Sequence, residues 1–189
     1  DLAVLIVPAV NVPAVLAECG QKNVKGAIII SGGFKELGSA GAALENAVRE
    51  RARACGIRLI GPNCFGMINA SPNVRLNTTF GRVMPKFGNI ALISQSGAVG
   101  INVLDYAESE EVGLSKFISI GNKADINECD LLEYLKNDSE TDVIGLYLED
   151  LVNPAEFMRI AREITTNPIN PKPILAIKSG RTSEGAKAV

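Results

Sequence analysis

Short runs of β-branched and aliphatic residues alternate along this chain with longer stretches in which apolar positions recur every three or four residues. The runs at 2–7 and 27–30 are apolar throughout, as buried strands are, and a shorter strand is expected at 58–60. Between them, 12–19 and 39–54 carry helical spacing. Gly20 is expected to stop the first helix, Ser39 to cap the second, and Cys55-Gly56 to end it. The stretch Met84-Pro85-Lys86-Phe87-Gly88 follows neither period and marks a boundary. Beyond it the alternation resumes, with strands expected at 89–93, 116–120, 143–148 and 173–177 and helices at 97–108, 130–136 and 154–165.

Strand–helix alternation of this kind predicts an α/β fold with parallel sheets. Residues 1–85 read as a partial Rossmann-like domain, its opening βαβ unit expected to lie ahead of residue 1. Residues 86–189 read as a flavodoxin-like doubly wound parallel-sheet domain.

Composition narrows the function. Hydrophobic residues make up 47% and charged ones 21%, the balance of a globular protein. A net charge of -2, with lysine and arginine dispersed, offers no basic face to nucleic acid or anionic lipid. The apolar runs are too short to cross a bilayer, and residue 1 already begins a strand, so neither a membrane span nor a signal peptide is expected. Cys19, Cys55, Cys64 and Cys129 are scattered and form no CxxC pair, which points to no metal site, no disulfide scaffold and a reducing cytoplasm. The chain has no histidine. Ser-His nucleophile systems therefore cannot be built from it alone, and its chemistry must use carboxylates, lysines, backbone donors or a group supplied from outside.

The expected strands all end in small or polar residues: Pro8-Ala9, Ser31-Gly32-Gly33 and Gly61-Pro62-Asn63-Cys64 in the first block, then Ser94-Gln95-Ser96-Gly97, Gly121-Asn122-Lys123, Glu149-Asp150 and Lys178-Ser179-Gly180-Arg181. In a doubly wound sheet these ends share the edge where ligands bind. The turn opening at Ser94 exposes amides at a helix N-terminus, which suits a phosphoryl group and suits equally a plain serine-capped turn. Glu149 follows an apolar strand directly; it either orients an imidazole brought by another segment or is a solvated acid starting a loop. The turn at 61–66 either admits part of a cofactor or is structural, and Cys64 reads as a small neighbour in it rather than a nucleophile. Lys123 and Lys178 either meet phosphates or are solvated.

Taken in order, DLAVLIVPA, GAIIISGGF, RLIGPNCFGMIN, LNTTF, GNIALISQSGAVG, SIGNKAD, DLLEYLKND, LYLED and KSGRTSEGAKA resemble the ADP-forming (NDP-forming) acetyl- and acyl-CoA synthetases and the alpha subunit of succinyl-CoA synthetase. The resemblance implies the reaction acyl-CoA + ADP + phosphate = acid + CoA + ATP, passing through an acyl phosphate and a phosphohistidine. It places Pro8, Ala9, Ser31, Gly32, Asn63 and Cys64 where the family binds CoA. It places Ser94, Ser96, Gly97 and Ala98 at the phosphoryl turn, and Glu149 as the acid that steadies the phosphohistidine. It also implies a small carboxylic acid, acetate by closest likeness, and Mg-ADP or Mg-ATP held by a partner ATP-grasp domain or beta subunit, in a homo- or hetero-oligomer. The family's glycine-rich CoA phosphate turn is expected ahead of DLAVL and its histidine loop after KSGRTSEGAKA, so these residues by themselves are expected to be an inactive portion of an active enzyme. Two other functions share the resemblance: a CoA-ligase-like regulatory domain of a protein-lysine acetyltransferase, and a non-catalytic CoA-binding module.

Overall fold

The computed structural model describes residues 1–180 and divides into two compact units. One comprises Asp1–Gly66 with Ile120–Asn127, the other Met67–Ser119 with the residues from Glu128 onward.

The first unit holds β1 (Leu2–Leu5), α1 (Val12–Gln21), β2 (Gly26–Ile29), α2 (Ser39–Ala54) and β3 (Arg58–Ile60). The strands form one parallel sheet in that order, with Leu5 beside Ile29 and Ala27 beside Leu59. α1 buries Val12 and Leu16, and α2 buries Gly41, Glu45, Val48 and Ala52. These spacings of three and four put each set on one helix stripe. The stripes join Leu5, Ala27, Ile29, Phe34 and Leu59 in one core. Each fully buried Leu, Ile or Phe there contributes roughly 1.5–3 kcal/mol.

Gly20 does not stop α1, which runs on to Gln21 before Asn23 turns left-handed at φ 56°. A side-chain carbon at Gly20 would sit 2.7 Å from Cys55 Sγ, so this glycine serves close packing against the end of α2 rather than termination.

The second unit holds β4 (Met67–Asn69), β5 (Leu76–Asn77), β6 (Phe87–Ser94), α3 (Gly97–Ser109), β7 (Leu114–Ser119), α4 (Glu128–Lys136), β8 (Val143–Leu148), α5 (Pro154–Thr165) and β9 (Ile174–Lys178). Its sheet runs β5-β4-β7-β6-β8-β9; β6, β7, β8 and β9 pair in parallel, and β4 and β5 are antiparallel additions. The sequence puts a boundary near 85, whereas compactness divides the chain after Gly66 because β4 pairs with β7. Strands of two and three residues show no alternation to read. β6 crosses over to β7 on one side, while β8 lies on its other side. The topological switch point, the position where open α/β sheets bind ligands, is therefore at the carboxyl ends of β6 and β8.

Candidate active site

In the first unit the three strand ends are stitched together. Ser31 Oγ donates to Val7 O at 2.6 Å and Asn63 N donates to Ser31 O at 3.0 Å, bringing Pro8-Ala9, Ser31-Gly32 and Asn63-Cys64 to one edge. Pro8, Gly32 and Asn63 are exposed, and Ala9 and Ser31 are half-buried. Asn63 adopts φ 55°, a left-handed conformation that asparagine tolerates. Cys64 is different: it is 5% exposed, and its Sγ donates to Ile29 O at 3.3 Å. Burial pushes the thiol up to about 12. It is a packed neighbour whose thiol is held in the protonated, poorly nucleophilic form.

A polar network underpins that edge. Asn122 Nδ2 donates to Glu36 Oε2 at 2.6 Å and to Glu45 Oε2 at 2.8 Å, while Lys35 Nζ donates to Asn122 O at 2.5 Å. Glu36 Oε1 accepts from the amides of Gly33 and Phe34. Burial opposes ionisation of Glu36, yet the hydrogen bonds from Asn122 and these amides hold its carboxyl below the usual value. Gly121-Asn122-Lys123, expected at the edge of the second sheet, thus belongs to the first unit, with Lys123 buried.

In the second unit the chain leaves β6 through a buried serine. Ser94 is 0% exposed and its Oγ donates to Ser96 O at 2.6 Å. Its hydroxyl shapes the turn, and the surface available to an anion begins at the next residues. Ser96 caps α3, its Oγ accepting from Val99 N at 3.3 Å, and Gly100 N reaches Ser96 O at 3.1 Å. The first N–H groups of a helix lack intrahelical partners, so the Gly97 and Ala98 amides stand at its positive end. Gly100 lets the helix approach the sheet: a side-chain carbon there would lie 2.6 Å from Phe117 Cζ.

Glu149 follows β8 directly. Its amide donates to Gln95 Oε1 at 2.9 Å, so the serine turn and the acid adjoin at the switch point. Lys178, at the end of β9, donates from Nζ to Glu149 O at 2.6 Å. Lys178 thus fixes the acid's main chain instead of simply reaching into solvent. Arg181 and the rest of KSGRTSEGAKA after Gly180 lie outside the described residues.

Residues 87–189 match the family described as the succinyl-CoA ligase like flavodoxin domain, more than half of the chain. The chain belongs to this family. Residues 1–70 match a second family, the CoA binding domain. Like other succinyl-CoA ligase like proteins, this one has named relatives. An ADP-forming acetate–CoA ligase I of Archaeoglobus fulgidus is 47% identical over 188 residues, covering 100% of this chain and 27% of the relative. The alpha subunit of an ADP-forming acetate–CoA ligase I of Pyrococcus furiosus is also 47% identical, covering 100% of this chain and 39% of the subunit. Among solved structures, a dinucleotide forming acetyl-coenzyme A synthetase 1 of Ca. Korarchaeum cryptofilum, in complex with phosphate and ADP, superposes with TM-score 0.91 at 42% identity, covering 100% of this chain and 39% of that one. The chain thus spans between about a quarter and two fifths of the length of these proteins.

The sequence pattern missed Glu36 and Glu45 as contributors, and it gave Gln95 and Asn122 only as members of strand-end turns, without their hydrogen-bonding roles. Glu45 carried a signal, since it occupies the buried stripe of α2 between Gly41 and Val48. A lone acid on an apolar stripe demands a partner. Two clefts, of about 390 and 290 Å³, lie beside Met84 and Phe87 and beside Arg53 and Ile57 and include none of the expected site residues. Among the described residues no three His, Cys, Asp or Glu side chains gather to hold a metal, and no helix is long and apolar enough to cross a membrane.

Proposed function

We propose that this chain is the CoA-ligase portion of an ADP-forming acyl-CoA synthetase, with acetyl as the acyl group. The full enzyme converts acyl-CoA, ADP and phosphate into the acid, CoA and ATP. The observation that carries this is the adjacency of an open helix N-terminus and an acid at the switch point, joined by the 2.9 Å hydrogen bond from Glu149 N to Gln95 Oε1. The relatives named above are ligases, which favours catalysis over a regulatory or purely binding role.

In this proposal CoA lies along the edge of the first unit, against Pro8, Ala9, Ser31, Gly32, Asn63 and Cys64, with Cys64 contributing shape through its buried side chain. Phosphate sits at the start of α3 beside Ser96, Gly97 and Ala98, where two amides and the helix dipole balance its charge, while the buried Ser94 shapes the turn beneath it. One phosphate oxygen attacks the thioester carbonyl; the C–S bond breaks, the sulfur leaves with its electron pair as CoA, and acyl phosphate remains. A histidine must then take the phosphoryl group, releasing the carboxylate as the P–O bond to the acyl oxygen breaks. These residues contain no histidine, so another part of the full protein supplies it. Glu149 accepts its imidazole N–H and presents the opposite nitrogen to phosphorus. The phosphoryl group passes to Mg-ADP on an ATP-grasp domain or beta subunit. The setting is the cytoplasm, whose reducing conditions keep thiols reduced.

The test is full-length enzyme supplied with acetyl-CoA, ADP and phosphate. ATP should appear, and incubation with Mg-ATP should leave an acid-labile phosphohistidine. A well-folded protein that forms neither would overturn the proposal.

A further inference from the structure

The main chain of Glu149 is gripped on both sides. Its N–H donates to Gln95 Oε1 at 2.9 Å, and the Asp150 N–H donates to the same oxygen at 3.2 Å. Gln95 Nε2 donates to Asp150 Oδ1 at 2.8 Å, and Gln95 N donates to Tyr147 O at 2.9 Å, extending the β6–β8 ladder by one residue. From the opposite neighbour, Lys178 Nζ takes the Glu149 carbonyl at 2.6 Å. The acid's peptide groups are therefore held from the strands on either side of β8.

The chemistry of position 95 is specific. The contacts require an acceptor with two lone pairs and, on the same side chain, a donor facing a carboxylate. A carboxamide supplies both. Glutamate would set a second negative charge against Asp150, and lysine or arginine has no acceptor for the two amides. Gln95 also sits in the peptide between Ser94 and Ser96, so whatever fixes Glu149 is continuous with the turn that opens α3.

We infer that Gln95 is a positioning residue for the proposed reaction: it fixes the Glu149 backbone relative to the start of α3, so that the acid presents the incoming imidazole to phosphorus. The inference rests on the proposed role of Glu149 at this site. Gln95 touches no reacting atom in this account. Its removal should slow turnover without weakening substrate binding, because a misplacement of about 1 Å can cost on the order of 100-fold in rate.

The experiment uses full-length enzyme and reads steady-state constants and the single-turnover rate of histidine phosphorylation from Mg-ATP. Gln95→Met keeps length and removes all three side-chain hydrogen bonds. It should lower kcat and the phosphorylation rate by roughly 10- to 100-fold, with KM for CoA, ADP and phosphate within about twofold. The reversed pair Gln95→Glu with Asp150→Asn restores an acceptor for both amides and a donor–acceptor contact between the side chains, and should recover most of the rate. Wild-type rates in Gln95→Met, when Glu149→Gln is inactive, would overturn the positioning role and leave the proposed site standing. Wild-type rates in Glu149→Gln would remove the role of the acid itself. Should Gln95→Met fail to fold, the reversed pair decides alone: a folded but slow enzyme overturns the inference.

Discussion

Ser96 Oγ receives the amide of Val99 at 3.3 Å and so closes the first turn of α3 over the proposed phosphate position. Ser96→Ala removes that cap and should lower stability by about 1 kcal/mol. Ser96→Asp retains an acceptor and should be nearly as stable as wild type, but it places a negative charge beside the bound anion. Its KM for phosphate should rise on the order of tenfold, more at low ionic strength. Urea midpoints and phosphate saturation curves separate the effects; an unchanged phosphate KM in Ser96→Asp means the anion sits elsewhere.

The same helix depends on Gly100. Its missing side chain lets α3 settle onto Phe117, which is 0% exposed and cannot swing into solvent. Gly100→Ala gains up to about 1 kcal/mol in helix propensity and loses about 1–3 kcal/mol to overpacking, so the net effect should be destabilising. Adding Phe117→Leu should recover part of the loss. If Gly100→Ala unfolds at a higher urea concentration than wild type, the close approach does not govern this helix.

Most of the fold was legible because its strands and helices are long enough to display their periods. The runs at 89–93 and 143–148 fall within β6 and β8, and the helix expected at 154–165 is α5. β4 and β5 escaped notice because so few residues carry no period. The return of Ile120–Asn127 to the first unit was hidden for another reason. It combines backbone hydrogen bonds, Ala124 N to Gly61 O at 3.0 Å and Ile126 N to Leu59 O at 3.1 Å, with side-chain bonds from Asn122 and to Asp125 whose partners lie 66 to 86 residues away in the chain. The site divides likewise. Ser96, Gly97 and Glu149 stood out as unusual residues at strand ends, whereas the hydrogen bonding of Gln95 depends on which strands are neighbours, and strand order is not written locally.

Lys116 is 3% exposed and donates to Asp138 Oδ2 at 2.7 Å and Glu140 Oε2 at 3.1 Å. Burial opposes the ionisation of Asp138, but the hydrogen bonds from Lys116 and Thr141 draw its carboxyl below the usual range. Lys116→Met leaves Asp138 without its counter-charge and should cost about 2–3 kcal/mol at pH 7, less than for a fully enclosed pair because Asp138 keeps some contact with water. A carboxyl held low stabilises above its unfolded value of about 3.9 and loses that contribution as pH falls through the folded value. Wild type should therefore lose stability in acid faster than Lys116→Met, and the gap between their urea midpoints should shrink from pH 7 to pH 3.5. A gap that stays constant argues against the ion pair.

Cys64 should resist alkylation. The thiolate is the reactive form, and with the thiol raised to about 12 only about one molecule in ten thousand carries it at pH 8. Iodoacetamide at that pH should leave Cys64 unmodified in the native protein and label it fully in urea, as peptide mass spectrometry can measure. Native labelling at the denatured rate would show that the strand end opens readily.

The network beneath the first strand edge should respond to pH with a sign that one substitution reverses. Glu45 is 8% exposed and Asn122 7%, and the carboxamide of Asn122 serves both Glu36 and Glu45. In wild type the Glu36 carboxyl is held low, so its contribution is full above about 4.3 and is lost as pH falls through the folded value. Asn122→Asp removes the shared donor and sets three carboxylates against one another, which raises their folded values and favours protonation. The variant should be least stable at pH 7, by about 2–3 kcal/mol relative to wild type, and should gain stability as pH falls to 5, where wild type is flat. Asn122→Ala loses the donor without adding charge and should show no such gain. Thermal midpoints at pH 7, 6 and 5 distinguish the three proteins, and parallel curves for wild type and Asn122→Asp would mean the carboxylates do not share this side chain.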